Sequence, residues 1–380
     1  MSISIDYKHR NFGLDAIRAL AILLVLLSHA TLLVFPKENN LVLTGIRFLG
    51  TVGVDLFFVL SGFLIGSIIL KQLKLGKTRF KDFMYFWIRR WFRTLPNYFL
   101  VLILNVILFY LFSGEIIEGL KLYFLFLQNF WTPQPDFYTE SWSLSIEEYA
   151  YIIGPLLMFL SILIAKKASK TKLFLISSLL VIIISVLLRY QFHLSHSIDS
   201  VETWSKSLRK IVIYRMDSIY YGFIFVYIMN IKEAVFRQFN KVFFWTGILL
   251  FLGVHLLIFS TNMTPVNSRL FFNVIYLPLL SLNLLLFFPY AITITTNKQV
   301  EKLVTELSVL SYAMYLLNYS VVLLSIKYFM GFCSDSILIR IMALLIYCLL
   351  TVYLSKGLYR YFEKPMTNLR DKSFFKAKFS

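Results

Sequence analysis

Apolar residues fall in long uninterrupted runs rather than in short alternating ones. About 20 mostly apolar residues carry an α-helix across the hydrocarbon core of a bilayer. Ten runs meet that length: 14–35, 47–70, 95–112, 142–165, 173–191, 211–231, 242–260, 270–290, 307–326 and 337–358. The pattern predicts an all-α polytopic membrane protein with about ten spans. The stretch Gly119–Phe130 is too short to cross and reads as an interfacial helix. The first run follows Lys8, His9 and Arg10, as in a signal peptide. It is too long for one, carries Arg18 and lacks a small-residue cleavage site, so it is expected to be retained.

The polar positions between the runs predict orientation. The 71–93 connection holds Lys71, Lys74, Lys77, Arg79, Lys81, Arg89, Arg90 and Arg93 against Asp82 alone. The 166–172 connection adds Lys166, Lys167, Lys170 and Lys172, whereas 113–141 and 327–336 carry only Lys121 and Lys327. Ten spans with both termini cytoplasmic put these basic connections inside, as the positive-inside rule demands. The 192–210 connection is mixed. The expected organisation is a cytoplasmic tail (1–13), one transmembrane domain (14–365) and a basic cytoplasmic tail (366–380). No internal repeat, low-complexity tract or appended soluble domain is expected.

Composition sharpens the class. The chain is 58% hydrophobic and 15% charged, against about 45–50% and about 25% in soluble domains; its mean hydropathy is +0.73. An ordinary soluble enzyme, a disordered chain and a polar nucleic-acid-binding domain are excluded. The formal charge of +18 belongs to loops facing anionic lipid. Cys333 and Cys348 give neither a disulfide framework nor a metal site. A composition rich in Lys, Ile, Phe and Asn points to a bacterial inner or plasma membrane.

Ionisable residues inside apolar runs are costly and mark function by default. Arg18 and His29 are 11 residues apart, about three turns and roughly 16 Å along one helical face. A snorkelling arginine and a hydrogen-bonded histidine are the plainer reading of that pair. Asp55 stands near the outer end of the second run, where Gly53, Gly62 and Gly66 indicate close helix packing or a broken helix. Glu147 and Glu148 enter the fourth run at its outer end, where a helix dipole favours carboxylates. Arg215 and Asp217 enter the sixth, and an ion pair would explain them. Arg89, Arg90 and Arg93 precede Pro96 at the cytoplasmic start of the third run. Arg90 and Arg93, spaced i, i+3, suit phosphate oxygens. This sorting puts Arg18, Arg90 and Arg93 inside, and His29, Asp55, Glu147, Arg215 and Asp217 outside.

The order of these motifs resembles the acyltransferase-3 family of integral-membrane O-acyltransferases, which acylate cell-surface glycans and related acceptors. The resemblance runs from Leu14 to Pro365. It includes Arg18-x10-His29, the Gly-Val-Asp-x-Phe-Phe-x-Leu-Ser-Gly-Phe-Leu block at 53–64, Arg90-x-x-Arg93-x-x-Pro96 and the Trp142-Ser-Leu-Ser-Ile-Glu147-Glu-Tyr block. Arg215-Met-Asp217, Ser311-Tyr312-x-x-Tyr315-Leu316 and Glu363-Lys364-Pro365 follow in order. One position departs: Asn318 stands where the family usually has histidine, so no second histidine is carried over. The chain looks like the stand-alone form of a family that often appends a soluble domain.

The resemblance implies an acyl-CoA donor, acetyl-CoA first, reached from the cytoplasm, with no bound cofactor and no metal. It implies an acceptor hydroxyl on a surface glycan or lipid-linked sugar at the outer face. His29 would be the base, or a transient acyl carrier. Glu147 or Asp55 would orient its ring, and Arg18 would stabilise an oxyanion or hold phosphate. Arg90, Arg93, Arg215 and Asp217 complete the expected binding set. The competing reading from another class is a secondary transporter or flippase, in which buried charges line a substrate path and a helix breaks at Gly62.

Overall fold

Each long apolar run becomes a helix whose start is marked by local chemistry. The first, α1 (Phe12–Val34), is capped by Asn11, whose side chain accepts a hydrogen bond from the Leu14 N–H. Asn40 caps α2 (Leu41–Lys74) in the same way through the Leu43 N–H. Then come α3 (Phe80–Ser113), a single turn α4 (Leu120–Phe124), α5 (Ser141–Ile164) and α6 (Lys170–Ser195). The segments α7 (Val201–Arg209) and α8 (Val212–Ile231) meet at a 91° bend. The chain closes with α9 (Asn240–Ser260), α10 (Phe271–Ala291), α11 (Lys298–Phe329) and α12 (Ile337–Leu369). The structure is a computed structural model that describes residues 10–38, 40–330 and 336–370. Cys333, the 371–380 stretch of the basic tail and the first nine residues lie outside the described residues.

Among the described residues nine helices are long and apolar enough to cross a membrane, or ten if the bent α7–α8 pair is one span. The ten expected runs each coincide with one of these. Two boundaries move substantially. Helix α3 starts at Phe80 rather than 95, because Asp82 accepts the Arg79 backbone N–H at 2.9 Å and Lys and Arg are good helix formers. Charge made that segment read as a loop, but it is a helix. At 34 residues α3 is about 51 Å long, far more than the ~30 Å hydrocarbon core. The second correction is the 119–130 stretch, where only Leu120–Phe124 is helical and turns follow.

Helix α2 is the centre of the bundle, packed against α1 on one side and α8 on another, with α11 closing on α1. It runs unbroken through Gly62, so of the two expected readings of these glycines close packing holds and a helix break does not. A Cβ on Gly62 would lie 2.0 Å from the Ile219 carbonyl oxygen, and Gly222 faces it from α8. The outward surface is apolar: Leu249 is 69% exposed, and Leu187, Leu256 and Leu345 also face outward. Such a surface is stable only in lipid. One end of the bundle, the basic end, carries the 71–93 and 166–172 positions; the far end carries the 114–140 connection.

Candidate active site

At the basic end, α2 and α3 enclose a cavity of about 910 Å³. Lys71, Lys77, Arg79, Arg89, Arg93 and Arg370 line it, with Asp82 as its acid. Arg90 and Arg93 also line a smaller chamber deeper in the bundle, shared with Arg18, Glu147, Tyr312, Tyr315 and Glu363. Because α3 begins at residue 80, Arg90 lies about 15 Å along the helix, well inside it. There its Nη2 donates to Glu147 Oε2 at 2.8 Å and to the Tyr151 hydroxyl at 3.1 Å, and the guanidinium lies over the Tyr151 ring. Glu147 also accepts from Ser61 at 3.3 Å and from Tyr151 at 2.9 Å.

This contact corrects the expected sorting. Arg90 and Glu147 do not belong to opposite faces; they meet in the interior. The fork expected of Arg90 with Arg93 is likewise altered, since Arg90 is committed to Glu147. Arg18 lines the same chamber, its Nη1 3.4 Å from the Ser308 hydroxyl and 3.8 Å from Asp15, which also pairs with Arg10. Glu148 points elsewhere and accepts from Thr94 at 3.0 Å.

A second chamber, about 130 Å³, opens toward the far end around His29, Arg47, Glu140, Arg209, Lys210 and Tyr319. Val54 and Tyr315 line both chambers, so Tyr315 is the wall between them. Its hydroxyl lies 2.7 Å from the Ser143 hydroxyl and donates to the Glu140 carbonyl at 3.2 Å. The Glu140 carboxylate accepts from the Ser320 N–H and hydroxyl. It precedes α5, and burial pushes it up to about 7.

His29 is held by Asn318, not by an acid. Its Nδ1 lies 2.6 Å from Asn318 Oδ1, and its ring packs on Tyr319 with centroids 4.8 Å apart. The Asn318 amide is itself oriented: Nδ2 donates to the carbonyls of Met314 at 2.9 Å and Tyr315 at 2.8 Å. The oxygen therefore faces the imidazole, which must place its proton on Nδ1 and leave the Nε2 lone pair available. The expected contact of Glu147 or Asp55 with His29 is not made, and Asn318 does the orienting in their place.

The remaining expected site residues form a separate network. Arg215 pairs with Asp55, and Arg189 pairs with Asp217 at 2.7 Å. All four are essentially buried. The competing ion-pair reading of Arg215 and Asp217 thus takes the form of two pairs, not one, which tie α2 to α8 and α6 to α8. Neither Asp55 nor Arg215 nor Asp217 lines either chamber. Arg189 went unnoticed in the sequence, although it lies in the 173–191 run and the rule that selected Arg18 selects it equally. Asn318, Arg209 and Lys210 gave no comparable signal: an amide is cheap in a helix, and the two cations read as part of a mixed loop.

Among the described residues no group of three or more His, Cys, Asp and Glu side chains is placed to hold a metal ion. The unbroken α2 removes one of the two features that favoured a transporter, the helix break at Gly62. The chain matches the family model described as an acyltransferase domain, Acyl_transf_3, over residues 11–360. It is 33% identical over 193 residues to a putative peptidoglycan O-acetyltransferase, YrhL, of Bacillus subtilis (strain 168), covering 46% of this chain and 28% of the relative. It is 34% identical over 167 residues to the peptidoglycan O-acetyltransferase OatA of Listeria monocytogenes, covering 39% and 24%. A putative O-acetyltransferase, SACOL0978, of Staphylococcus aureus (strain COL) is 34% identical over 181 residues, covering 43% and 28%. The matched segments span about a quarter of the length of these curated relatives. No solved structure matches. With nearly the whole chain inside one family model and a multi-pass helical bundle around the shared motifs, this chain belongs to the acyltransferase-3 family of membrane enzymes.

Proposed function

We propose that the protein is a membrane O-acyltransferase, with acetyl as its acyl group. It takes acyl-CoA at the cytoplasmic face and esterifies a hydroxyl of a cell-surface or lipid-linked carbohydrate at the outer face. One observation carries the reading: a basic cavity, the Arg18–Arg93 chamber and the His29 chamber follow one another through the bundle, sharing Arg90 and Arg93 at the first junction and Tyr315 at the second. The O-acetyltransferase names of the relatives support the choice of acyl group. Positive-inside orientation of the 71–93 and 166–172 segments puts the basic cavity in the cytoplasm, where a phosphate-bearing thioester is available. In this reading the tails at 1–13 and 366–380 are cytoplasmic and flank a single membrane domain.

The roles follow from the chemistry of each group. The cations around the basic cavity bind the nucleotide phosphates, and Arg93 continues that grip into the bundle. Glu147 and Tyr151 hold Arg90 in place as a positioning group. Arg18, roughly 16 Å from His29 along α1 and turned toward Ser308 and Asp15, extends the grip on the donor's phosphates. The thioester carbonyl passes Tyr315 to reach His29. His29 Nε2 takes the proton from the acceptor hydroxyl as its oxygen bonds to the carbonyl carbon. The carbon–sulfur bond then breaks, the ester is released, and the thiolate leaves with the pair of electrons and takes up the proton that His29 gives back, which restores the neutral imidazole.

Arg93→Ala tests the donor side. Loss of a charge-assisted contact to phosphate costs about 1.5–3 kcal/mol, so the acetyl-CoA concentration for half-maximal transfer should rise by about one to two decades while protein abundance holds. Arg93→Lys should recover only part of it, since a point charge does not reproduce the guanidinium fork. An unchanged concentration dependence in both variants, measured on membranes with labelled acetyl-CoA, would leave Arg93 as an orientation signal only.

A further inference from the structure

The far-end chamber is more cationic than proton abstraction by His29 requires. Arg47, Arg209 and Lys210 line it, and Glu140, its acid, is already engaged by Ser320. Among the described residues no carboxylate lies within ion-pair distance of these three cations. Lys206, one turn earlier at the rim, shows the contrast: it pairs with Glu202 at 3.0 Å and Asp136 at 3.6 Å.

The three are also held in place by neutral groups. Arg209 is 8% exposed, bonds Ser205 through Nε at 3.1 Å and stands over the Trp142 ring at 4.9 Å. Its Nη1 is buried with no hydrogen-bond partner. Lys210 Nζ lies 6.0 Å from the same ring, and its backbone carbonyl is pinned by the Asn129 amide at 2.7 Å. Arg47 is tied to Thr31 and to the Phe35 and Glu38 carbonyls. Arg209 ends a π-helical turn, a local distortion that recurs at functional sites. A buried guanidinium nitrogen without a partner is costly unless something supplies the missing acceptor.

We propose that Arg209, Lys210 and Arg47 form an acceptor subsite for an anionic substituent, a carboxylate of a sugar acid or a phosphate ester, carried by the molecule whose hydroxyl His29 deprotonates. The proposal rests on the acyl-transfer reading of the His29 chamber and narrows its substrate class. Planar guanidinium at Arg209 suits either oxyanion, and Lys210 and Arg47 add charge at the mouth. Neutral glycans offer Arg209 only hydroxyl and amide oxygens, weaker partners for a guanidinium than an oxyanion, so the subsite selects against them.

The full chain, purified in detergent, tests this by equilibrium binding of two matched probe pairs. One is N-acetylmuramic acid against its methyl ester; the other is N-acetylglucosamine 1-phosphate against methyl N-acetylglucosaminide. At least one anionic probe should bind about tenfold or more tightly than its neutral partner. Arg209→Gln and Lys210→Gln should each erase most of that difference. A preference confined to the first pair assigns the subsite to a carboxylate, and one confined to the second assigns it to a phosphate. Lys210 is only half-buried, so Lys210→Gln remains informative if Arg209→Gln fails to fold. Equal binding of charged and neutral partners, no binding of either anion, or a preference that survives both substitutions overturns the proposal. Labelled acetyl transfer in the same preparation separates the two claims. Loss of His29-dependent transfer with the anion preference intact defeats the proposed reaction but not the subsite.

Discussion

His29→Asn is expected to be as inactive as His29→Ala, each losing about 10²–10⁴-fold in acyl transfer, the share that a general base supplies. The protein should still insert, since removing a polar ring from within the bundle lowers the cost of burial. Asn is the discriminating replacement. It can hydrogen-bond Asn318 as the imidazole does, but it carries no titratable proton near neutral pH. A histidine that only satisfies Asn318 would tolerate it, so a His29→Asn variant near wild-type rate removes His29 from the chemistry. Labelled acetyl-CoA turnover in membranes, normalised to immunodetected protein, reads the outcome. The arrangement of Asn318 makes the prediction specific, because its Nδ2 is spent on two backbone carbonyls and its oxygen must receive the imidazole N–H.

Asp55→Ala should fail for a different reason. Arg215, 0% exposed, would keep its charge after losing its only ion-pair partner among the described residues, because Asp217 on α8 is already engaged by Arg189. Removing one member of a buried pair costs about 3–5 kcal/mol, whereas replacing both by apolar residues of similar size is often tolerated. Thermal unfolding in detergent should therefore show Asp55→Ala strongly destabilised. The double variant Asp55→Leu with Arg215→Met should lie much closer to wild type, a clear non-additivity. Asp55→Ala with wild-type stability and no activity would return Asp55 to the reaction itself.

These two residues show what was legible in the sequence. Apolar run length predicted each crossing helix, because the bilayer demands about 20 such residues whatever their order. The charges inside those runs were equally visible, and His29, Arg18, Arg93 and Glu147 do line the interior chambers. Pairing was not visible. Asp55 and Arg215 are 160 residues apart in the chain, and their contact depends on α2 packing against α8 through Gly62 and Gly222. Arg90 was placed on the wrong side of Glu147 because charge masked the first turns of α3. Asn318 stood out only as a departure from the motif, and its contact with His29 was hidden because an uncharged amide raises no electrostatic flag. Its role needs the geometry of two carbonyls and one imidazole.

In the proposed reaction an acyl group enters at the cytoplasmic basic cavity and leaves as an ester at the outer face by way of His29. Mass analysis of surface polysaccharide and lipid-linked sugars from cells with wild-type protein, with His29→Ala and without the protein tests it most directly. An ester-sized mass shift is expected on a surface or lipid-linked carbohydrate with the wild type and not with the other two. Esters that persist with His29→Ala, or that appear only on soluble cytoplasmic compounds, would contradict it.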